Sequence, residues 1–234
     1  MGTVKRFFRR DEGVALILAV FYAVGVLGHA WELTHDVMLL LTPWVLLVAG
    51  IVVLVPYWGE AGTAGRLWVI LTFLATYLLE VAGVVTGMVF GAYEYGTTLG
   101  FHVFGVPPII GFNWVLVILG FLRLGQIFIE RAERAMEGYP APWGAGRYIA
   151  IAAAVIIPAV GALLFDYIME PVAIRLEYWI WAGGDVPLQN YAAWFLIALA
   201  ASAAFRLMGI RFASKIPLYY MIVQTLFFLG LYAI

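Results

Sequence analysis

Cysteine is absent from the 234 residues, which excludes disulfides, thiolate metal sites and cysteine nucleophiles. Charge is scarce too. Acidic and basic side chains make up 12% of the chain, about half of the roughly 25% that covers a soluble domain, so most of the surface does not face water. The two lysines, Lys5 and Lys215, lie away from the middle of the final apolar run, which argues against a retinal Schiff base. Neither Gly-x-Ser-x-Gly nor a glycine-rich loop ending in lysine occurs, and hydrolase and nucleotide-driven readings lose their support. A net charge of −1 provides no basic face for nucleic acid.

Hydrophobic residues are abundant, at 65%, and they come in long runs. A span needs about 20 mostly apolar residues. Such stretches lie at roughly 13–35, 37–57, 67–90, 109–129, 147–168, 190–209 and 216–234. The expected fold is therefore all-α: a single polytopic membrane bundle of about seven transmembrane helices over 1–234. The breakers between spans are Gly59 to Gly65, Pro107-Pro108, Pro140 and Pro142, Gly183-Gly184 and Pro217. The basic start Lys5-Arg6-Phe7-Phe8-Arg9-Arg10 precedes an apolar run longer than a signal core and without a small-x-small cleavage site. It reads as a first helix that stays.

Lysine and arginine orient the bundle. With the N-terminus inside, every one of them except Arg175 falls in an inner segment, and an odd number of spans puts the C-terminus outside. The expected location is the cell membrane, crossed several times. The outer side then collects His29, His35 and His102 with Glu32, Asp36, Glu94, Asp166, Glu170, Glu177 and Asp185. Two aromatic outer loops, about 91–108 and 169–189, share that side, and an interface belt of aromatics and solvated acids accounts for part of this pattern. A faint internal echo links the two loops. Each follows a span carrying an acid (Glu80, Asp166) and ends in Val-Pro, then an asparagine and a tryptophan: Asn113 and Trp114, Asn190 and Trp194. A parallel repeat of this kind would place a site between the two units near their outer ends.

Glu80 does not fit the belt. It is expected about 14–16 Å from the outer end of its helix at 1.5 Å per residue, where a carboxylate costs about 2.5–3.5 kcal/mol on insertion scales. Gly83, Gly87 and Gly91 continue its face at helical spacing, which reads either as a helix-packing stripe or as room for a flat ligand. An acid in an apolar cleft is one way a carboxyl becomes a proton donor. His29, Glu32, His35 and Asp36 fall at i, i+3 and i+4 spacings that would share one helical face. Glu32-Leu33-Thr34-His35 matches half of a carboxylate di-iron site, but no second Glu-x-x-His exists. A metal held by His29, Glu32 and His35 is thus the minor alternative to an outer polar cap.

The stretch Glu80-x-x-Gly83-x-x-x-Gly87-x-x-Phe90-Gly91-x-Tyr93-x-Tyr95-Gly96-x-x-Leu99-Gly100, with Gly105-Val106-Pro107 and Asn113-Trp114, resembles the membrane carotenoid 1,2-hydratases. These include the bisanhydrobacterioruberin hydratases and the γ-carotene 1′,2′-hydratases. Asp166, Glu170-Pro171, Trp179-x-Trp181, Val186-Pro187 and Asn190 through Trp194 match that family's second signature. The resemblance covers about 67–195, and the ends agree only in hydropathy. Tyr191-Ala192-Ala193 departs from it, where an aromatic and then a glycine are expected before the tryptophan.

The resemblance implies addition of water to the terminal carbon–carbon double bond of an acyclic carotenoid end group, giving a tertiary alcohol without redox cofactor or metal. The implied partners are a long polyene within the bilayer, the lipid itself and other enzymes of the same pathway. The candidate catalytic carboxyls are Glu80, Asp166, Glu94 and Glu170. Glu80 is expected to donate the proton and Asp166 to be its charged partner, while Glu94 and Glu170 are expected in or beside loops. Tyr93, Tyr95, Asn113, Trp114, Trp179, Trp181, Asn190, Gly83 and Gly87 are expected to contact the substrate, the aromatic faces stabilising a tertiary cation. A lycopene-type cyclase using the same protonation is the nearest rival. A non-catalytic carotenoid-binding or transport protein is the other.

Overall fold

The computed structural model describes residues 2–135 and 145–234, with side chains described for residues 11–134 and 148–234. Pro140 and Pro142 lie outside the described residues, as do the side chains of Lys5, Arg6, Arg9, Arg10 and Arg147. Among the described residues the helices are α1 (Gly2–Ala30), α2 (Glu32–Glu60), α3 (Gly62–Thr86), α4 (Pro108–Ala135), α5 (Ala145–Arg175), α6 (Leu188–Leu207) and α7 (Ile216–Tyr232). The first six are long and apolar enough to cross a membrane. The apolar α7 has 17 residues, about 25 Å at 1.5 Å per residue, near the lower limit for a span. The chain is an all-α multi-pass membrane bundle.

Successive helices alternate in direction. One end of the bundle therefore gathers the α1–α2 turn, the two long aromatic loops and the end of α7. The opposite end carries Arg66, Arg131, Arg134, Arg206, Arg211 and Lys215. The central helix is α4, which packs against α2, α3, α5, α6 and α7. Its run Val115 through Leu119 is buried on every side, as expected of a helix that is hydrophobic all round.

Among the boundaries that differ from the sequence expectation, three bear on the site. The expected span 13–35 is broken at Trp31, whose extended backbone (φ −97°, ψ 116°) caps α2, so Glu32 begins a new helix. The expected span 67–90 stops at Thr86 because Gly87 adopts the left-handed conformation (φ 67°) and returns its N–H to Gly83 O, a glycine helix stop. The expected span 147–168 is too short. Helix α5 runs through Pro158 and Pro171 to Arg175, about two turns past the expected end.

The two outer loops are not irregular throughout. Strands β1 (Tyr93–Tyr95) and β2 (Trp179–Trp181) pair antiparallel, with Tyr93 opposite Trp181, Glu94 opposite Ile180 and Tyr95 opposite Trp179. Ala182 N–H to Ala92 O and Gly96 N–H to Tyr178 O, both 3.0 Å, extend the pairing. A Cβ at Gly96 would lie 2.0 Å from Glu177 O, so only glycine lets the chains close there. Side chains alternate across a strand. Trp179 and Trp181 are buried while Glu94 and Ile180 are exposed, and the pair thus forms a cover with an aromatic underside.

Candidate functional site

Beneath that cover lies a cavity of about 260 Å³. Its polar lining includes Glu80 from α3, Asp166 and Glu170 from α5, Asn190 from α6, Asn113 from α4 and Gln224 from α7. Glu80, Asp166 and Glu170 are 3%, 1% and 2% exposed, so three carboxyl groups are buried around one space. No lysine or arginine is among the lining residues.

The strands reach down to the acids. Both the Tyr93 and Tyr95 hydroxyls donate to Glu80 Oε2, the Tyr95 bond at 2.7 Å. Burial, reinforced by the neighbouring Glu80, pushes both phenols above their ordinary range, so they keep their protons and act as donors. On the other strand the indole N–H groups of Trp179 and Trp181 donate to Glu170 Oε2 at 3.0 and 3.2 Å. The Asn190 amide bridges the two α5 acids, donating to Asp166 Oδ2 at 2.8 Å and Glu170 Oε1 at 3.2 Å. These partners compensate burial that would otherwise cost several kcal/mol for each charged group.

Spacing and bonding separate here. Glu80 precedes Tyr93 by 13 residues, and Asp166 precedes Trp179 by the same interval. The tryptophans nonetheless hold Glu170, not Asp166, because α5 continues helical to Arg175 and carries Glu170 one turn closer to the cover. Asp166 is left one turn deeper with a single amide donor.

The remaining wall is aromatic. Trp114 and Trp194 stack with centroids 3.3 Å apart, and Phe90 lies over Trp194 at 5.0 Å. Tyr93 and Trp181 meet across the strands at 4.9 Å. A second polar group faces this stack from α1 and α7. Gln224 Nε2 donates to Tyr220 Oη at 2.7 Å and lies 3.4 Å from Asn113 Oδ1 and 3.5 Å from Tyr22 Oη. Gln224 is 1% exposed, and its Oε1 has no partner among the described residues.

The residues expected from the sequence thus divide. Glu80, Asp166, Glu170, Tyr93, Tyr95, Asn113, Trp114, Trp179, Trp181 and Asn190 all line the one cavity. Glu170 is buried within α5, not in or beside a loop. Glu94 does not join the cavity, since its position on β1 turns it to the exposed face. Glu80 lies six residues before the end of α3, about 9 Å, nearer the cover than expected. The glycine stripe is not an open face. A Cβ on Gly83 would meet Phe90 at 2.6 Å, and Gly87 ends the helix, so neither lines the cavity.

The break at Trp31 also puts His29 on α1 and Glu32 and His35 on α2, so these residues do not share a helical face. His35 Nδ1 lies 3.0 Å from His29 O. Among the described residues no group of three His, Asp or Glu is placed to hold a metal. Sequence reasoning missed Gln224, Tyr22 and Trp194 as site residues. The signal for Gln224 was available, as a lone amide in the middle of the last apolar span.

Two comparisons with known proteins match this chain. The family described as "Carotenoid biosynthesis protein" matches residues 41–233. A protein of Haloarcula japonica named bisanhydrobacterioruberin hydratase is 29% identical over 206 residues, which cover 82% of this chain and 63% of the relative. The chain therefore spans less than two thirds of that relative's length. No solved structure matches.

Proposed function

The chain belongs to the carotenoid biosynthesis protein family, and from that premise we propose that it adds water across the terminal double bond of an acyclic carotenoid end group. The observation that carries this reading is the convergence of three buried carboxyl groups on one aromatic cavity whose lining has no lysine or arginine. The name of the Haloarcula japonica relative, a hydratase, supports the same reaction class.

In the proposed reaction Glu80 gives its proton to the less substituted alkene carbon, and the alkene π electrons form the new C–H bond. The positive charge is left on the tertiary carbon. Phe90, Trp114 and Trp194 offer π faces to that charge, and Asp166 offers a full negative charge. Water, held by Gln224 and Asn113, bonds through oxygen to the tertiary carbon. Its surplus proton passes to a carboxylate of the cavity and returns to Glu80, which balances the cycle. Glu80 is the better donor because its two partners are hydroxyls. A tyrosine hydroxyl both donates and accepts, whereas the indole N–H only donates, so a proton returns to Glu80 through Tyr93 or Tyr95 but not to Glu170 through tryptophan. The basic end of the bundle faces the cytoplasm in this reading, which puts the cavity at the outer side of the cell membrane.

Expression in a host that accumulates an acyclic carotenoid tests the proposal by the mass of the extracted pigment. A gain of one water per reacted end group is expected. An isomer of unchanged mass would mean cyclisation, and an unaltered pigment would mean a binder or transporter.

A further inference from the structure

The cavity takes an end group, but not a carotenoid. A dry cavity of about 150 Å³ accepts benzene, so on the same scale about 260 Å³ accommodates about ten carbons. A carotenoid has several times that number, and its chain is a stiff conjugated rod that cannot fold into the same space. Most of the substrate has to remain outside, and the wall must open where it leaves.

The lining residues say where. Three of them are also large hydrophobic side chains open on the outer surface of the bundle: Phe21 (47% exposed), Val24 (58%) and Leu41 (41%). All three belong to α1 or α2. A residue that both lines a cavity and faces outward marks a mouth, and a mouth of this composition opens to lipid rather than water.

Packing explains why the seam lies there. Helix α1 is fastened to α7, where Gly25 lets Phe227 approach to 3.2 Å of a Cβ position and Gly230 does the same for Val26. Helix α2 is fastened to α4, where a Cβ at Gly50 would meet Phe112 at 2.3 Å. Between α1 and α2 the corresponding close approach is at the hairpin tip, Gly28 against Met38. The two helices are thus pinned at the tip, and each has its own glycine-mediated partner below it, α7 for α1 and α4 for α2, while α7 also packs against α2.

We propose that the seam between α1 and α2, bordered by Phe21, Val24 and Leu41, is a lateral doorway through which the polyene enters from the bilayer and in which its unreacted length rests. This proposal deepens the carotenoid reading above and rests on it. It implies that the enzyme works on one end group at a time, with the far end of the rod still in lipid.

The absence of native cysteine makes the test clean. A Val24→Cys/Leu41→Cys variant, closed with a short thiol cross-linker that a reductant cleaves, is placed in lipid nanodiscs. With Trp31, Trp44, Trp58 and Trp143 replaced by phenylalanine so that the cavity tryptophans dominate the signal, lycopene supplied from vesicles is followed by its quenching of tryptophan fluorescence, which requires no water addition. Closing the seam is expected to slow quenching by about tenfold or more, and reductant is expected to restore it. Val24→Phe, which narrows the mouth without a cross-link, slows it in the same direction. Quenching at full speed in the closed pair or in Val24→Phe overturns the doorway while leaving the carotenoid reading intact. Absence of quenching in the reduced and unsubstituted proteins would overturn the ligand class itself.

Discussion

Glu80 and Glu170 occupy comparable places under the strand pair. Each is a buried glutamate whose Oε2 accepts from both inward side chains of one three-residue strand. The strands differ in what they present: β1 offers two phenols and β2 two indoles. Shape and burial are alike, but the capacity to move a proton is not, because a hydroxyl can hand on a proton and an indole cannot. In the proposed reaction the same local architecture therefore serves as donor on one side and as a fixed, charge-holding partner on the other. Asp166, one turn below Glu170 and held by Asn190, adds to the second side. Acids elsewhere in the bundle do something simpler: Glu60 and Asp11 accept backbone N–H groups of the 213–215 segment and close that turn.

Glu80→Gln keeps the volume and still accepts from both tyrosines, yet it has no proton to transfer. Hydration is expected to fall by about 10²–10⁴-fold at unchanged membrane levels, measured as product pigment per unit protein. Near-normal turnover would move the acid to the α5 side. Asp166→Asn removes the negative charge that the proposed reaction assigns to Asp166 but leaves the acid, and a loss of about 10²-fold with a measurable remainder is expected.

The paired test is Tyr95→Phe against Trp179→Phe. Each deletes one donor to a buried glutamate and should destabilise the protein by about 1–3 kcal/mol, read from thermal unfolding in detergent. Activity is expected to separate them: about tenfold lower for Tyr95→Phe, because a step in proton return is lost, and within about threefold for Trp179→Phe. Equal losses of activity would erase the difference between the two strands. Glu94→Gln is expected to change neither readout appreciably, since an exposed side chain away from special features shifts stability by about 0.5 kcal/mol or less.

Much of this was legible in the sequence because a bilayer imposes length and composition on every span. The apolar runs located all the helices, and most polar residues of the cavity stood out because a membrane helix does not tolerate them without cause. What was not legible is instructive in physical terms. Hydropathy changes slowly along the chain, so the single-residue break at Trp31 leaves no trace in it. Proline disfavours helix in the residue before it, so Glu170-Pro171 reads as a helix end although the bundle holds α5 helical beyond it. Strands of three residues carry too few alternations to announce themselves, and their pairing joins segments far apart in sequence. Gly83 and Gly87 read as an open stripe because spacing does not reveal that the chain turns at Gly87 and folds Phe90 back onto Gly83.

In the proposed reaction water held by Gln224 and Asn113 supplies the oxygen of the product. The most direct test is turnover by the membrane-embedded protein in water enriched in oxygen-18, with mass analysis of the pigment. One labelled oxygen per reacted end group is expected, at the same rate with and without molecular oxygen or a reductant. Unlabelled product, or a strict requirement for oxygen or reductant, would contradict it.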